Sequence, residues 1–134
     1  TYFLFMAQTL RRNKKTKRVV EQGVICVSAL YNNTHISVSD TEGNVLTWHS
    51  GGRAGFKGAR EATPYAATMA MEKCLEEAIR LYGLKRAHVS VKGVGAGRDN
   101  ALRAIVAAGV EIDSIVDETP VPYNGTKKKK IRKL

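Results

Sequence analysis

The fold is decided by Gly23-Val-Ile-Cys-Val-Ser-Ala-Leu-Tyr31, a stretch that is apolar on both of its alternating faces. Such a pattern predicts a central strand that is covered on both sides. Asn32-Asn33 follows, a pair that tolerates positive φ and therefore favours a tight hairpin. Residues 34–40 then alternate between apolar and polar side chains, which predicts the strand that pairs with the first.

A second turn and a third strand follow, after which the spacing of the apolar residues changes from that of a strand to that of a helix. Asp40-Thr-Glu-Gly-Asn44 has a glycine at the left-handed position of a turn, and residues 45–50 complete a three-stranded meander. Thr63 and Pro64 then mark a helix start, as N-cap and first helical residue. The helix is expected to end at Gly83. Its apolar residues recur at helical spacing: Ala67, Ala70, Met71, Cys74, Ala78 and Leu81.

The remaining elements alternate between strand and helix. A fourth strand is predicted around Val89 and Val91, a second helix over 99–108, and a fifth strand over 110–116. The order βββαβαβ requires parallel strands and right-handed crossovers in its second half. We therefore expect a single three-layer α/β domain with a mixed five-stranded sheet.

The net charge of +10 is concentrated at the two ends of the chain. Residues 11–18 and 127–134 hold 12 of the 22 basic residues, whereas the middle holds 10 basic and all 12 acidic residues, a net of −2. A nearly neutral body with two polybasic arms is typical of a protein that binds a polyanion. We therefore divide the chain into a basic N-terminal extension (1–22), a globular α/β domain (23–119) and an extended basic C-terminal tail (120–134).

Composition argues against several other classes of protein. The apolar segment at residues 2–7 is too short to span a bilayer and lacks the basic leader and cleavage site of a secretory signal. We therefore expect a soluble, non-secreted protein with no membrane partner. Cys26 and Cys74 both fall on apolar segments, which predicts buried free thiols, and no Cys/His spacing for zinc is present.

A glycine-rich segment, Gly51-Gly-Arg-Ala-Gly-Phe-Lys-Gly-Ala-Arg60, contains Arg53, Lys57 and Arg60. Glycine allows a backbone to approach a phosphate closely, and the cations neutralise the charge of that phosphate. No Gly-Lys-Ser/Thr follows, so the segment is not a P-loop. We favour a loop that contacts an RNA backbone, and the alternative is a flexible polar connector.

A second glycine-rich segment, Gly93-Val-Gly-Ala-Gly-Arg98, joins a predicted strand to a helix. The dinucleotide fingerprint G-x-G-x-x-G places its third glycine one residue later, and an acidic ribose-binding residue is hard to place. The segment still presents backbone N–H groups and Arg98 to an anion at a helix start. We favour a nucleic-acid phosphate as that anion.

Three carboxylates leave an enzyme open as an alternative. Asp40 and Asp117 each close a predicted strand and Asp99 starts a helix, so a metal-dependent nuclease is one interpretation. The competing interpretation is structural: Asp40 begins a turn, Asp99 caps a helix and Asp117 precedes an exposed loop. The three histidines lie on predicted strands without a Cys or Ser partner, and no nucleophile motif is present.

Five blocks of the chain, taken together, are highly specific. The blocks are Tyr31-Asn-Asn-Thr34, Gly55-Phe-Lys-Gly58, Thr63-Pro-Tyr-Ala-Ala67, Val91-Lys-Gly-Val-Gly-Ala-Gly-Arg98 with Ala101-Leu-Arg-Ala104, and Asp117-Glu-Thr-Pro-Val-Pro-Tyr-Asn-Gly125. They occur in family order, cover about residues 23–134 and closely resemble the family of small-subunit ribosomal protein eleven.

The resemblance implies a ribonuclease-H-like α/β fold without catalytic activity. It implies a structural role on platform helices of small-subunit rRNA, near the messenger exit and the exit-site tRNA, in support of subunit assembly and translation. Small-subunit proteins six, seven, eighteen and twenty-one are the implied neighbours, and no cofactor is implied beyond Mg²⁺ bound to rRNA. The single glycine loop after the third strand looks bacterial or organellar, so the expected location is the ribosome of a bacterial cytoplasm, a plastid or a mitochondrion.

The chain departs from the family pattern at two places. Val94 stands where the family usually has proline between two glycines, and Tyr123-Asn-Gly-Thr-Lys-Lys-Lys replaces His-Asn-Gly-Cys-Arg-Pro-Pro before the basic end. Lysine makes point-charge contacts where arginine would fork onto phosphates or stack on bases. We therefore expect the tail to keep its position on rRNA while its detailed contacts differ.

The predicted RNA-binding residues lie in both arms, in the loops and at the start of the tail. Pro120 and Pro122 favour an extended spacer that projects the tail from the domain, and Tyr123 can stack on a base. The alternatives are a free RNA-binding or RNA-processing factor and, third, a nuclease of similar fold. The full set is Arg11, Arg12, Lys14, Lys15, Lys17, Arg18, Asn32, Asn33, Arg53, Lys57, Arg60, Lys92, Arg98, Tyr123, Asn124, Lys127, Lys128, Lys129, Lys130, Arg132 and Lys133.

Overall fold

The computed structural model describes residues 18–131, which form a five-stranded sheet and two α-helices. The strands are β1 (Gln22–Ala29), β2 (Thr34–Asp40), β3 (Val45–Ser50), β4 (Arg86–Lys92) and β5 (Glu111–Asp117). The helices are a 3₁₀ helix (Gly58–Ala62), α1 (Pro64–Tyr82) and α2 (Arg98–Ala107). These elements confirm the predicted single α/β domain and its βββαβαβ order. None of the described helices is long and apolar enough to cross a membrane.

The sheet is mixed and has the strand order β3-β2-β1-β4-β5. β2 is antiparallel to both β1 and β3, whereas β4 is parallel to β1 and β5. β1, β3, β4 and β5 therefore all end on the same side of the sheet, where β2 begins. We call this side the carboxyl end of the sheet and the opposite side its amino end.

The layering differs from the expected three layers, because both helices pack on one face of the sheet. Met71 of α1 and Ile105 of α2 are buried in the same core as Ile25 of β1. The crossovers from β3 to β4 and from β4 to β5 step in the same direction, so right-handed connections place both helices on the same side. The described residues therefore form two layers and leave the second face of the sheet, which we call the open face, without a helix.

The prediction that β1 is covered on both sides is wrong, because one side of β1 lies on the open face. Val24 and Cys26 are apolar in the sequence, but they are only half-buried. Their neighbours on β2 are Ser39 and Ser37, so the face is polar although β1 is not. The prediction of buried thiols is accordingly confirmed for Cys74 and wrong for Cys26. Burial raises the pKa of the Cys74 thiol to about 12.

The termini of the first helix follow from local capping chemistry. The Thr63 hydroxyl accepts a hydrogen bond from the Ala66 N–H at 3.3 Å, and Gly83 ends α1 in the left-handed conformation, with φ of 68°. Both predictions are confirmed. The second helix begins one residue earlier than expected, with Gly97 as its N-cap. Asp99 is therefore not the cap but lies in the first turn, where its charge favours the helix dipole.

The connection between β1 and β2 is not the expected hairpin with positive φ. Among the described non-glycine residues only Asn124 has a positive φ, so Asn32 and Asn33 do not use that conformation. The connection closes instead through a hydrogen bond from the Leu30 N–H to the Asn33 carbonyl at 2.8 Å. The Asn33 side-chain oxygen accepts from the N–H groups of Thr34 (2.8 Å) and Gly51 (3.1 Å). Asn33 thus ties this connection to the loop of residues 51–60, which we call the first glycine loop; residues 93–98 form the second glycine loop.

Candidate nucleic-acid interface

The topology brings the predicted RNA-binding residues of the domain to the carboxyl end of the sheet. Hydrogen bonds join the loops there: the Gly51 N–H donates to the Thr34 carbonyl at 3.2 Å, and the Gly95 N–H donates to the Ala29 carbonyl at 2.9 Å. The loops therefore form one continuous surface from which the C-terminal tail departs. This carboxyl-end surface comprises Asn32, Asn33, Arg53, Lys57, Arg60, Lys92, Arg98 and residues 118–131.

The first glycine loop is open to solvent. Gly55 and Gly58 have positive φ values of 105° and 60°, and a Cβ atom at either position would meet nothing within 4 Å. Phe56 packs edge-to-face on Tyr65 with ring centroids 5.6 Å apart, which anchors the loop to α1. Lys57 and Arg60 line a shallow cleft of about 450 Å³ beside the exposed backbone. This arrangement suits the approach of a phosphate, and the phosphate contact itself stays a prediction.

The second glycine loop packs closely against the protein's own backbone and has no room for an anion beside Gly93 and Gly95. A Cβ atom on Gly93 would clash with the Ala29 carbonyl, and one on Gly95 would clash with the Leu30 carbonyl. The Gly95 N–H already donates to Ala29, and the Gly93 N–H donates to the Thr119 hydroxyl at 3.2 Å. The expectation that these glycines present free donors to an anion is therefore corrected. They are needed because the loop packs directly on the end of β1.

Arg98 joins this loop to the root of the tail. Its guanidinium donates to the Gly93 carbonyl at 2.9 Å and to the Asp117 carboxylate at 2.7 Å. Asp117 also accepts from the Thr119 hydroxyl at 2.6 Å and from the Thr119 N–H at 3.0 Å. The hydrogen bonds from Thr119 and Arg98 hold the pKa of Asp117 well below its usual range. We call Gly93, Arg98, Asp117 and Thr119 the clasp.

The clasp predicts different roles for Arg98 and Lys92: Arg98 stabilises the fold, whereas Lys92 contacts RNA. Lys92 is exposed, and it forms no ion pair with a described carboxylate. We expect Lys92→Gln to reduce the slope of log affinity for RNA against log salt by about 0.7 to 0.9, the value of one phosphate contact. Arg98→Gln should leave that slope nearly unchanged and lower the free energy of unfolding instead. Filter binding across a salt series, together with urea denaturation, measures both quantities.

The same two measurements also show whether the role given to Arg98 is incorrect. A slope that falls by about one unit in Arg98→Gln, with an unchanged free energy of unfolding, would mean that the guanidinium contacts a phosphate rather than the clasp. Arg98→Lys is the matched variant, since it keeps the charge but cannot bond both Gly93 and Asp117 in the same planar geometry.

The two ends of the sheet differ in how many of their cations form ion pairs with carboxylates. Ion pairs engage the cations of the amino end: Arg18–Asp40 at 3.3 Å, Lys85–Glu21 at 3.8 Å and Arg86–Asp113 at 2.8 Å. Outside the tail, four cations of the carboxyl-end surface form no such pair with a carboxylate of residues 18–131: Arg53, Lys57, Arg60 and Lys92. Lys73, Arg80 and Arg103 of the helices also form no such pair, so four of the seven unpaired cations of residues 18–117 lie at the carboxyl end, beside the lysine-rich tail.

The two basic arms attach to opposite ends of the sheet. Residues 18–21 lead into β1 at the amino end, where the Val20 N–H donates to the Tyr82 carbonyl at 2.8 Å. The tail leaves β5 at the carboxyl end, with Tyr123 98% exposed and Lys127 to Lys130 exposed. The other predicted arm residues lie outside the described range: Arg11, Arg12, Lys14, Lys15, Lys17, Arg132 and Lys133.

The carboxylates of the nuclease alternative do not converge. Asp40 pairs with Gly23 at the amino end, whereas Asp117 is level with Val27 at the carboxyl end. Four residues of strand separate these positions, or about 13 Å, in addition to the strands between them. Asp40 accepts hydrogen bonds from the N–H groups of its own turn, and the Asn44 side chain helps to hold its pKa below the usual range. Its structural role as the start of a turn is thus confirmed.

Sequence reasoning missed Trp48. Its side chain lies on the open face and is 52% exposed, and the Arg53 guanidinium lies over its ring at 4.5 Å from the centroid. This is a cation–π contact at the border of the carboxyl-end surface. The sequence of β3 gives no signal for this exposure, because Trp48 alternates with Leu46 and Ser50 whereas the polar Thr47 and His49 are buried.

Comparison with known proteins identifies the family. The family described as Ribosomal protein S11 matches residues 23–133. A Small ribosomal subunit protein uS11 from Thermosipho melanesiensis is 47% identical over 129 residues, which cover 95% of this chain and 99% of that protein. The protein of the same name from Thermotoga maritima is 47% identical, over 91% of this chain and 94% of that protein. The one from Aquifex aeolicus is 45% identical, over 86% of this chain and 91% of that protein. The chain therefore belongs to the ribosomal protein S11 family, as its sequence blocks predict.

Proposed function

We propose that this protein is a structural constituent of the small ribosomal subunit and binds small-subunit rRNA through its carboxyl-end surface. The observation that carries the proposal is the placement of four unpaired cations and a lysine-rich tail at one end of a sheet whose other end neutralises its cations internally. The relatives bear the name of a small-subunit protein, and their family is a structural, non-enzymatic class.

The two arms extend this contact beyond the domain. We keep the division into an extension (1–22), a domain (23–119) and a tail (120–134). Because the arms attach to opposite ends of the sheet, they can reach two separate segments of rRNA around one domain. If they neutralise about eight phosphates, affinity should fall on the order of 10⁴-fold between low and moderate salt.

The proposal also includes the position of the protein within the small subunit. The protein would lie on the platform, near the messenger exit and the exit-site tRNA, with small-subunit proteins six, seven, eighteen and twenty-one as neighbours. It would support subunit assembly and translation and would need no cofactor beyond the Mg²⁺ that rRNA holds. The relatives named above are bacterial, which favours a bacterial ribosome over an organellar one.

The alternative is a free RNA-binding or RNA-processing factor, and sedimentation separates it from the proposal. A native lysate is washed in roughly 0.5 M salt, where the screening length is about 4 Å and loose polyanion binding is lost. We expect the protein to remain in the small-subunit peak of a sucrose gradient. Release to the top of the gradient would instead indicate a dissociable factor and would overturn the structural role.

A further inference from the structure

The open face of the sheet contains a cleft that borders the carboxyl-end surface. Its volume is about 480 Å³, within the usual range for small-molecule sites. None of the described residues that line it is a carboxylate. The cleft crosses four strands, and its lining includes Cys26, Ser28, His35, Ser37, Trp48 and Lys92.

The register of the strands makes Trp48 prominent in this cleft. Trp48 is paired with Ser37, which in turn is paired with Cys26, so its neighbours across the face are small. The Arg53 guanidinium lies over the indole and also donates to the Trp48 carbonyl, which fixes the position of the arginine. An exposed indole and a fixed guanidinium plane are the two kinds of surface on which unpaired bases stack.

We propose that the cleft binds an unpaired nucleotide of single-stranded RNA, with its base stacked on the Trp48–Arg53 pair and its phosphate chain directed toward Lys92. The inference rests on the proposed function and extends it from the loops to the sheet itself. Lys92 belongs to both surfaces and Arg53 of the carboxyl-end surface lies over Trp48, so an RNA strand can pass from one surface to the other without meeting a lining carboxylate.

Most of the exposed area of the cleft is apolar, but the polar side chains among its lining favour RNA over an apolar protein segment. An apolar partner would cover Ser28, Ser37 and His35 without offering them hydrogen bonds, which costs free energy. A nucleotide offers base edges, hydroxyls and phosphate oxygens to the same groups. Lys92 is the one lysine or arginine among the described lining residues, and its charge complements a phosphate backbone rather than a basic ribosomal protein tail.

Trp48 is the only tryptophan in the chain, so its fluorescence reports on this cleft directly. The full chain is titrated with an end-labelled single-stranded 12-nucleotide oligoadenylate, and label anisotropy records binding independently of the tryptophan. We expect binding to quench the tryptophan and to shield it from acrylamide. Inorganic polyphosphate of matched charge should bind the arms and leave the fluorescence unchanged, because it has no base to stack.

The oligoadenylate affinities of two variants test the stacking site without fluorescence. Trp48→Ala should weaken oligoadenylate binding about tenfold with an unchanged salt slope. Val106→Ala removes a similarly exposed apolar side chain from α2 and should have no effect. Thermal melting confirms that both variants are folded.

The outcomes separate the inference from the function on which it rests. Binding by anisotropy with neither quenching nor a Trp48→Ala effect would overturn the stacking site and leave the loops and tail as the RNA contacts. Equal quenching by polyphosphate would also overturn it. Shielding of Trp48 by RNA-free small-subunit proteins, but not by oligoadenylate, would make the cleft a protein interface. Absence of any RNA binding would remove both proposals.

Discussion

Replacing Lys127, Lys128, Lys129 and Lys130 by glutamine is expected to weaken the binding of small-subunit rRNA roughly 10²- to 10³-fold near 0.15 M salt. Each lysine that neutralises a phosphate releases counterions, and four such contacts together contribute a salt slope of about −3 to −3.6. All four side chains are exposed and project from the carboxyl end of the sheet. Filter binding of the full-length protein to an rRNA transcript across a salt series gives both the affinity and the slope.

Two matched variants identify the cause of that loss. Replacement of the same four lysines by arginine should keep the slope, because the charges remain. Glutamine at four cations outside the carboxyl-end surface removes the same charge and should cost much less: Lys73, Arg80, Lys85 and Arg103. If this second variant loses as much affinity as the tail variant, then net charge rather than the position of the tail governs binding.

Gly95→Ala is expected to lower the free energy of unfolding by about 2 to 4 kcal/mol, the range of severe overpacking. The added Cβ would clash with the Leu30 carbonyl and lie 2.8 Å from the Ala29 carbonyl carbon, and backbone atoms cannot rotate away. Moving the loop would also break the hydrogen bond from the Gly95 N–H to Ala29. Urea denaturation measures the change.

Gly52→Ala is the matched control for this substitution. The nearest atoms to its Cβ would be those of the Glu61 side chain at 3.7 Å, an ordinary contact. We expect a change within about 0.5 kcal/mol. Equal stability of the Gly95 and Gly52 variants would show that the second glycine loop is not packed against the end of β1 as described.

The secondary structure could be predicted from the sequence because its signals are local. The Thr63-Pro64 start and the Gly83 end of α1 depend on side chains and φ angles of the residues themselves. The layering depends on the direction of two crossovers across the sheet, which no single segment records. The polar partners of Cys26 become visible only once the register is known.

The sequence identified the loops and the tail that form the candidate site, but not how each of their residues is bonded in the structure. Both glycine loops combine glycine with cations, and the sequence alone assigned them the same role. The structure separates them, because Gly55 faces open space whereas Gly95 packs on a backbone carbonyl. Arg98 likewise looks identical to a phosphate-binding arginine until its contacts with Gly93 and Asp117 are known.

The central claim is that the carboxyl end of the sheet faces rRNA, and hydroxyl-radical cleavage from a tethered iron chelate tests it most directly. The chelate is attached to Lys57→Cys in the first glycine loop or to Glu76→Cys on the outer side of α1, each with Cys26→Ser. Cys74 stays unlabelled, because burial keeps its thiol protonated. In reconstituted small subunits we expect strong rRNA cleavage from position 57 and little from position 76, whereas equal or stronger cleavage from position 76 would contradict the account.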